Sequence, residues 1–90
     1  MKLKVITVDT QLEKENCDYI TLMLADDKKG AFSGSYGIKK GHARAVFSLC
    51  EGKLTAQHQG EIIFSCESSS GFAVVEDNVV TVTVDSIVLK

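Results

Sequence analysis

Ninety residues with a formal charge of −2 make one domain, near the smallest size at which a single core suffices without staples. Hydrophobic residues make up 44% of the chain but include only four phenylalanines, two tyrosines and no tryptophan, so the core is aliphatic. The charge balance argues against a nucleic acid partner, and no apolar run is long enough to cross a bilayer.

Period-two alternation begins at once, with Leu3, Val5 and Thr7 on one face of a first strand and Lys4, Ile6 and Val8 on the other. Lys2 and Lys4 interrupt any continuous apolar region, so this start is not a signal peptide, and the chain is expected to begin at Met1 and stay in the cytoplasm. Residues 10–16, with Glu13, Lys14 and Glu15, give the only hint of helix; they hold too few apolar positions to pack and read as a loop. A second strand follows, in which Ile20, Leu22 and Leu24 alternate with Tyr19, Thr21 and Met23. Asp26-Asp27 and Lys28-Lys29-Gly30 read as a solvated hairpin turn. Gly30, Gly34, Gly37 and Gly41 then punctuate a turning surface segment with short strands in residues 31–38. Further strands are expected over residues 43–48, 53–57, 61–66, 71–75 and 78–84, the last with Val80, Val82 and Val84 inward. Turns at Glu51-Gly52, Gln59-Gly60, Ser68-Ser69-Ser70-Gly71 and Glu76-Asp77-Asn78 separate them. Regular spacing of short strands and turns predicts an all-β sandwich or barrel over residues 1–90.

Independent chemistry finds little support. Cys17, Cys50 and Cys66 are odd in number and lack paired short spacing, so they form neither a disulfide framework nor a Cys-x-x-Cys zinc site. His42 and His58 are the only histidines, and no spacing ties them to Cys50, Cys66, Asp26 or Asp27 as metal ligands. The serines at 33, 35 and 68–70 suggest a nucleophile or phosphate loop, but the Gly34 to Gly41 segment lacks the Gly-Lys-Ser/Thr ending of a P-loop and Gly-x-Ser-x-Gly is absent. No catalytic residue, metal, cofactor or small-molecule substrate is expected.

The decamer Gly34-Ser-Tyr-Gly-Ile-Lys-Lys-Gly-His-Ala43 carries more information. It resembles the signature of the epsilon subunit of F-type ATP synthases (delta in mitochondrial naming), usually Gly-x-Phe/Leu-Gly-Ile-Leu-Pro-Gly-His-Ala. Leu49-Cys-Glu-Gly-Lys-Leu54 resembles that family's Leu-x-x-Gly-x-Leu turn, and Gly71-Phe-Ala-Val-Val75, Asn78-Val-Val-Thr-Val82 and Asp85-Ser86 resemble its ending. Order and spacing agree over residues 30–87, about two-thirds of the chain. Lys39-Lys40 replaces an apolar residue and proline, Arg44 a second proline, Ser70 a glycine and Val74 a glutamate; the chain contains no proline. These departures mark a divergent member and leave the strand pattern intact.

The resemblance implies a flattened sandwich of two mainly antiparallel, five-stranded sheets, so roughly eight to ten short strands. It implies a non-catalytic rotor subunit that links gamma to the c-ring and couples rotation to ATP synthesis, peripheral to the cytoplasmic face of the bacterial inner membrane. One sandwich face would dock on gamma, and an edge of Phe32, Ser33, Gly34, Ser35, Tyr36, Lys39, Lys40 and His42 would meet the c-ring. Gly37, Gly41, Gly52 and Gly71 would make structural turns, with His42 bracing the turn at Gly41. Full-length relatives continue into two C-terminal helices that can inhibit ATP hydrolysis. Here only Asp85-Ser-Ile-Val-Leu-Lys90 follows the last expected strand, and as helix it would span about 9 Å. No helical hairpin is therefore expected, and coupling without that inhibition follows. The second reading is a free-standing β-sandwich binding or assembly module with the same fold.

Overall fold

Alternating side chains drive the chain into strands wherever one face can be buried. The computed structural model describes residues 1–25 and 32–90, and for Phe32 and Ser33 the backbone alone. The turn expected at Asp26-Asp27 and Lys28-Lys29-Gly30 lies outside the described residues. Ten strands run in chain order: β1 (Lys2–Ile6), β2 (Gln11–Lys14), β3 (Tyr19–Ala25), β4 (Phe32–Lys39), β5 (Ala45–Leu49), β6 (Gly52–His58), β7 (Glu61–Ser68), β8 (Gly71–Glu76), β9 (Val79–Val84) and β10 (Ile87–Leu89). Among the described residues there is no helix.

Hydrogen bonding runs β10-β7-β6-β3-β5-β8-β9-β1-β2, with β4 on the other edge of β3. The link between β3 and β5 is the single pair Leu24↔Leu49, next to a Cys50 N–H bond of 3.1 Å to the Met23 carbonyl. Cutting there leaves two five-stranded layers, β4-β3-β6-β7-β10 and β5-β8-β9-β1-β2, the all-β sandwich that the strand spacing predicts. The molecule is flattened, with extents of 34 × 27 × 21 Å. All pairings are antiparallel except β1 with β9.

Inward residues follow the alternation. Leu3 pairs with Val80 and Val5 with Val82, and all four are fully buried together with Ile20, Leu22, Ile38 and Val75. Val84 is buried as expected, and Cys17, Cys50 and Cys66 are buried free thiols. Desolvation raises the Cys17 thiol and pushes Cys66 up to about 11.

Two segments correct the sequence reading. Residues 10–16 are not simply a loop: Gln11–Lys14 is strand β2, antiparallel to β1. Its one apolar side chain, Leu12, pairs with Val5 and packs on the core. Glu13 reaches Lys2 at 2.9 Å and Lys4 at 3.9 Å, so cross-strand charge pairing supplies what the pattern lacks. The other correction is Ile87–Leu89, which forms β10 against β7 instead of a tail. The Ser69 hydroxyl accepts the Asp85 and Ser86 N–H groups at 2.9 and 3.1 Å and turns the chain into that strand. Between β2 and β10 the layers do not join; a depression lined by Thr7, Thr10, Leu12, Asp85, Ile87 and Leu89 lies there.

The tight β6–β7 and β8–β9 hairpins fall where the turn residues put them. Gln59 and Gly60 have φ of 51° and 81°, and Asp77 and Asn78 have 52° and 64°. Two successive positive φ values mark type I′ turns, whose twist matches that of antiparallel strands.

Candidate functional site

The glycine-rich decamer forms one continuous strand and one loop. Strand β4 pairs with β3 from Tyr19↔Lys39 to Ala25↔Phe32, with a bulge beside Leu24, where Gly34 takes a φ of 151°. Alternation then sorts the predicted edge. Ile38 is fully buried, opposite Ile20, and Tyr36 is half-buried, opposite Leu22. Ser35 and Lys39 are exposed on the opposite side of the strand. Phe32 and Ser33 contribute backbone to β4; their side chains lie outside the description.

Tyr36 and His42 brace the loop internally. The Tyr36 ring packs on Phe47 at 4.9 Å between centroids, and the His42 ring meets both edge-on. His42 Nδ1 lies 2.7 Å from the Ala43 carbonyl oxygen. A carbonyl only accepts, so Nδ1 of the neutral ring carries the proton and Nε2 accepts the Tyr36 hydroxyl at 2.9 Å. The His42 N–H donates to the Lys39 carbonyl at 3.2 Å and closes the turn in which Gly41 has a φ of 78°.

Of the four glycines expected in turns, Gly41 alone occupies one. Gly37 sits in mid-strand opposite Thr21, where the Tyr19 ring lies so close that a Cβ would collide with it. Gly52 and Gly71 open strands β6 and β8. A Cβ on Gly52 would stand 2.9 Å from Met23 Cγ, and one on Gly71 would strike the Thr83 carbonyl. Close approach, not turn geometry, marks these three positions, and at Gly71 the neighbour is backbone.

Other elements clasp the loop from outside. Lys40 Nζ lies 2.9 Å from Asp18 Oδ1, and the Gly41 N–H donates to Asn78 Oδ1 at 3.2 Å. Arg44 bonds Glu76 at 3.2 Å. The Gln59 N–H donates to Asp18 Oδ2 at 2.7 Å, and that bond, then Lys40, holds the Asp18 carboxyl below its usual range. Asp18 carries no signal in the sequence, because its partners are twenty or more residues away. His58 stands 3.4 Å from the same carboxylate, with its Nδ1 buried and without a hydrogen bond. Among the described residues, no three His, Cys, Asp or Glu side chains gather as metal ligands. Ser69 holds the β9–β10 connection and the Ser68 hydroxyl donates to the Gly52 carbonyl, and among the described residues no nucleophile–base pair forms around residues 68–70.

A family profile for the ATP synthase delta/epsilon chain, beta-sandwich domain, matches residues 1–90. The chain belongs to that family. A central-stalk/c-ring structure of Tetrahymena thermophila mitochondrial ATP synthase contains a similar chain, with a TM-score of 0.73 and 15% identity, over 97% of this chain and 64% of that one. At that identity the likeness concerns the fold. A chain in a Euglena gracilis mitochondrial ATP synthase structure (OSCP/F1/c-ring, rotational state 1) is similar with a TM-score of 0.74 and 26% identity, over 97% of this chain and 51% of that one. This delta/epsilon sandwich thus spans about two-thirds and about half of the two chains it resembles. No curated protein sequence matches it.

Proposed function

We propose that this chain is a rotor subunit of the central stalk of an F-type, ion-translocating ATP synthase, joining gamma to the c-ring so that rotation is coupled to ATP synthesis. The observation that carries this reading is the family match across residues 1–90. The role asks for stiffness more than chemistry, and a close-packed aliphatic sandwich deforms little under load. The reading assigns no catalytic step, cofactor or small-molecule substrate to the chain. Its place is peripheral, at the membrane face that carries the F1 sector, which in a bacterium is the cytoplasmic side of the inner membrane. No helix among the described residues is long and apolar enough to cross a membrane.

Two surfaces divide the work in this reading. The β4 edge and residues 40–42, with Ser35 and Lys39 outward, meet the c-ring, while Tyr36 and His42 act as internal braces. Gamma docks on the outer face of the β5-β8-β9-β1-β2 layer. Val46 and Phe72 are 69% and 49% exposed there, on neighbouring strands. The outer face of the other layer carries Thr21, Lys53, Gln57, Ser65 and Glu67, together with the exposed Ile62 opposite Gln57 and Val88 opposite Glu67. Adjacent exposed apolar side chains favour a protein partner.

Titration of the folded chain against its cognate gamma subunit tests the reading. Saturable binding that Val46→Asp or Phe72→Asp weakens is expected. A correctly folded chain that binds neither gamma nor the c-ring would leave a free-standing sandwich module instead.

A further inference from the structure

Asp18, just before β3, ties together segments far apart in sequence. Its Oδ1 holds Lys40 at 2.9 Å, its Oδ2 accepts the Gln59 N–H at 2.7 Å, and its own N–H donates to the Gln57 carbonyl at 2.7 Å. The carboxylate thus links the loop after β4 to the β6–β7 hairpin. A partly exposed ion pair alone contributes little, but here the carboxylate is already oriented by a backbone N–H. Lys39 and Lys40 are consequently unlike. Lys39, the last residue of β4, is exposed and makes no ion pair among the described residues, whereas Lys40 is turned back on Asp18.

We propose that Asp18 is the positioning residue of this loop: by holding Lys40 it fixes residues 40–42 and leaves Lys39 as the cation offered to an acidic or carbonyl-bearing protein surface. What Lys39 meets rests on the rotor reading above, whereas how the loop is held does not. Gly41 and His42 report the clasp, because their N–H groups bond to Asn78 and to the Lys39 carbonyl.

The test compares the chain with its Asp18→Asn, Lys40→Met and Lys39→Met variants, by amide hydrogen exchange alone and by binding to purified c-ring over a salt series. Asp18→Asn and Lys40→Met are expected to speed exchange at Gly41 and His42 about two- to fivefold. The double variant should add nothing to either single one, the mark of a shared interaction. Lys39→Met should leave exchange unchanged and flatten the salt dependence of binding. In the other two variants binding weakens with its salt dependence kept. Unchanged exchange in Asp18→Asn and Lys40→Met overturns the clasp, whether or not the ring binds. A parent chain with a protected loop that ignores the ring overturns the role of Lys39 and the rotor-edge reading, and the exchange result still decides the clasp.

Discussion

The buried strand β9 and the loop at residues 40–44 are both well defined, but for different reasons. Val80, Val82 and Val84 are held by apolar burial, which is non-directional and large in sum. The loop has little to bury: Lys40, Gly41, Ala43 and Arg44 are exposed, and side chains from Asp18 just before β3, from β8 and from the β8–β9 turn hold it one hydrogen bond at a time. Stability therefore resides in the core, and conformation at the presenting edge resides in polar clasps that contribute little to it. The proposed rotor role would gain from that division, since the surface can change without loosening the sandwich.

The sharpest way to break the comparison is Val82→Asp. It buries an unpaired carboxylate between β1 and β8 and should cost several kcal/mol, about enough to unfold a marginal 90-residue domain. Chemical denaturation measures this, and a variant that unfolds like the parent would disprove the inward assignment.

A middle-sized effect separates two glycines. Gly71→Ala sets a methyl against the Thr83 backbone carbonyl, which cannot step aside, and should cost about 1–3 kcal/mol. Gly37→Ala meets only the end of the Tyr19 ring, which can swing outward, so its cost should be the smaller of the two. Thermal melts of the pair rank them. Equal losses would mean that the Tyr19 ring is locked in place.

Smallest, and opposite in sign along the pH axis, are the titrations. Asp18 is depressed in the folded state, so its contribution is full above the unfolded carboxyl value of about 4 and is lost as pH falls through the lower folded value. Cys66 is raised from 9.0 to about 11, so its contribution is full below 9 and is lost as pH rises toward 11. Stability measured against pH should lose part of its acid decline in Asp18→Asn and part of its alkaline decline in Cys66→Ala. Acid decline unchanged in Asp18→Asn would show that the carboxylate is not held as its geometry indicates.

Legibility follows the same division. Inward valines, the strand succession apart from β2 and β10, and the turns at Gln59-Gly60 and Asp77-Asn78 could all be read from residues one or two positions apart. At the candidate site, the decamer and its loop were legible as a segment, but its sorting into braces, Tyr36 and His42, and outward groups, Ser35 and Lys39, depended on which side of β4 faces β5 and its Phe47.

By itself the sequence determined the faces of the strands and the places where the chain reverses, because period-two alternation and positive-φ turns are local properties. Tertiary structure alone decided the parallel β1–β9 pairing, the recruitment of β2 and β10, the close approaches at Gly37 and Gly71, and Asp18 as the clasp of the loop. Each of these joins residues distant in the chain. Alternation says which side of a strand is apolar, but only packing the layers together decides which strand lies beside it and which carboxylate falls within reach of Lys40.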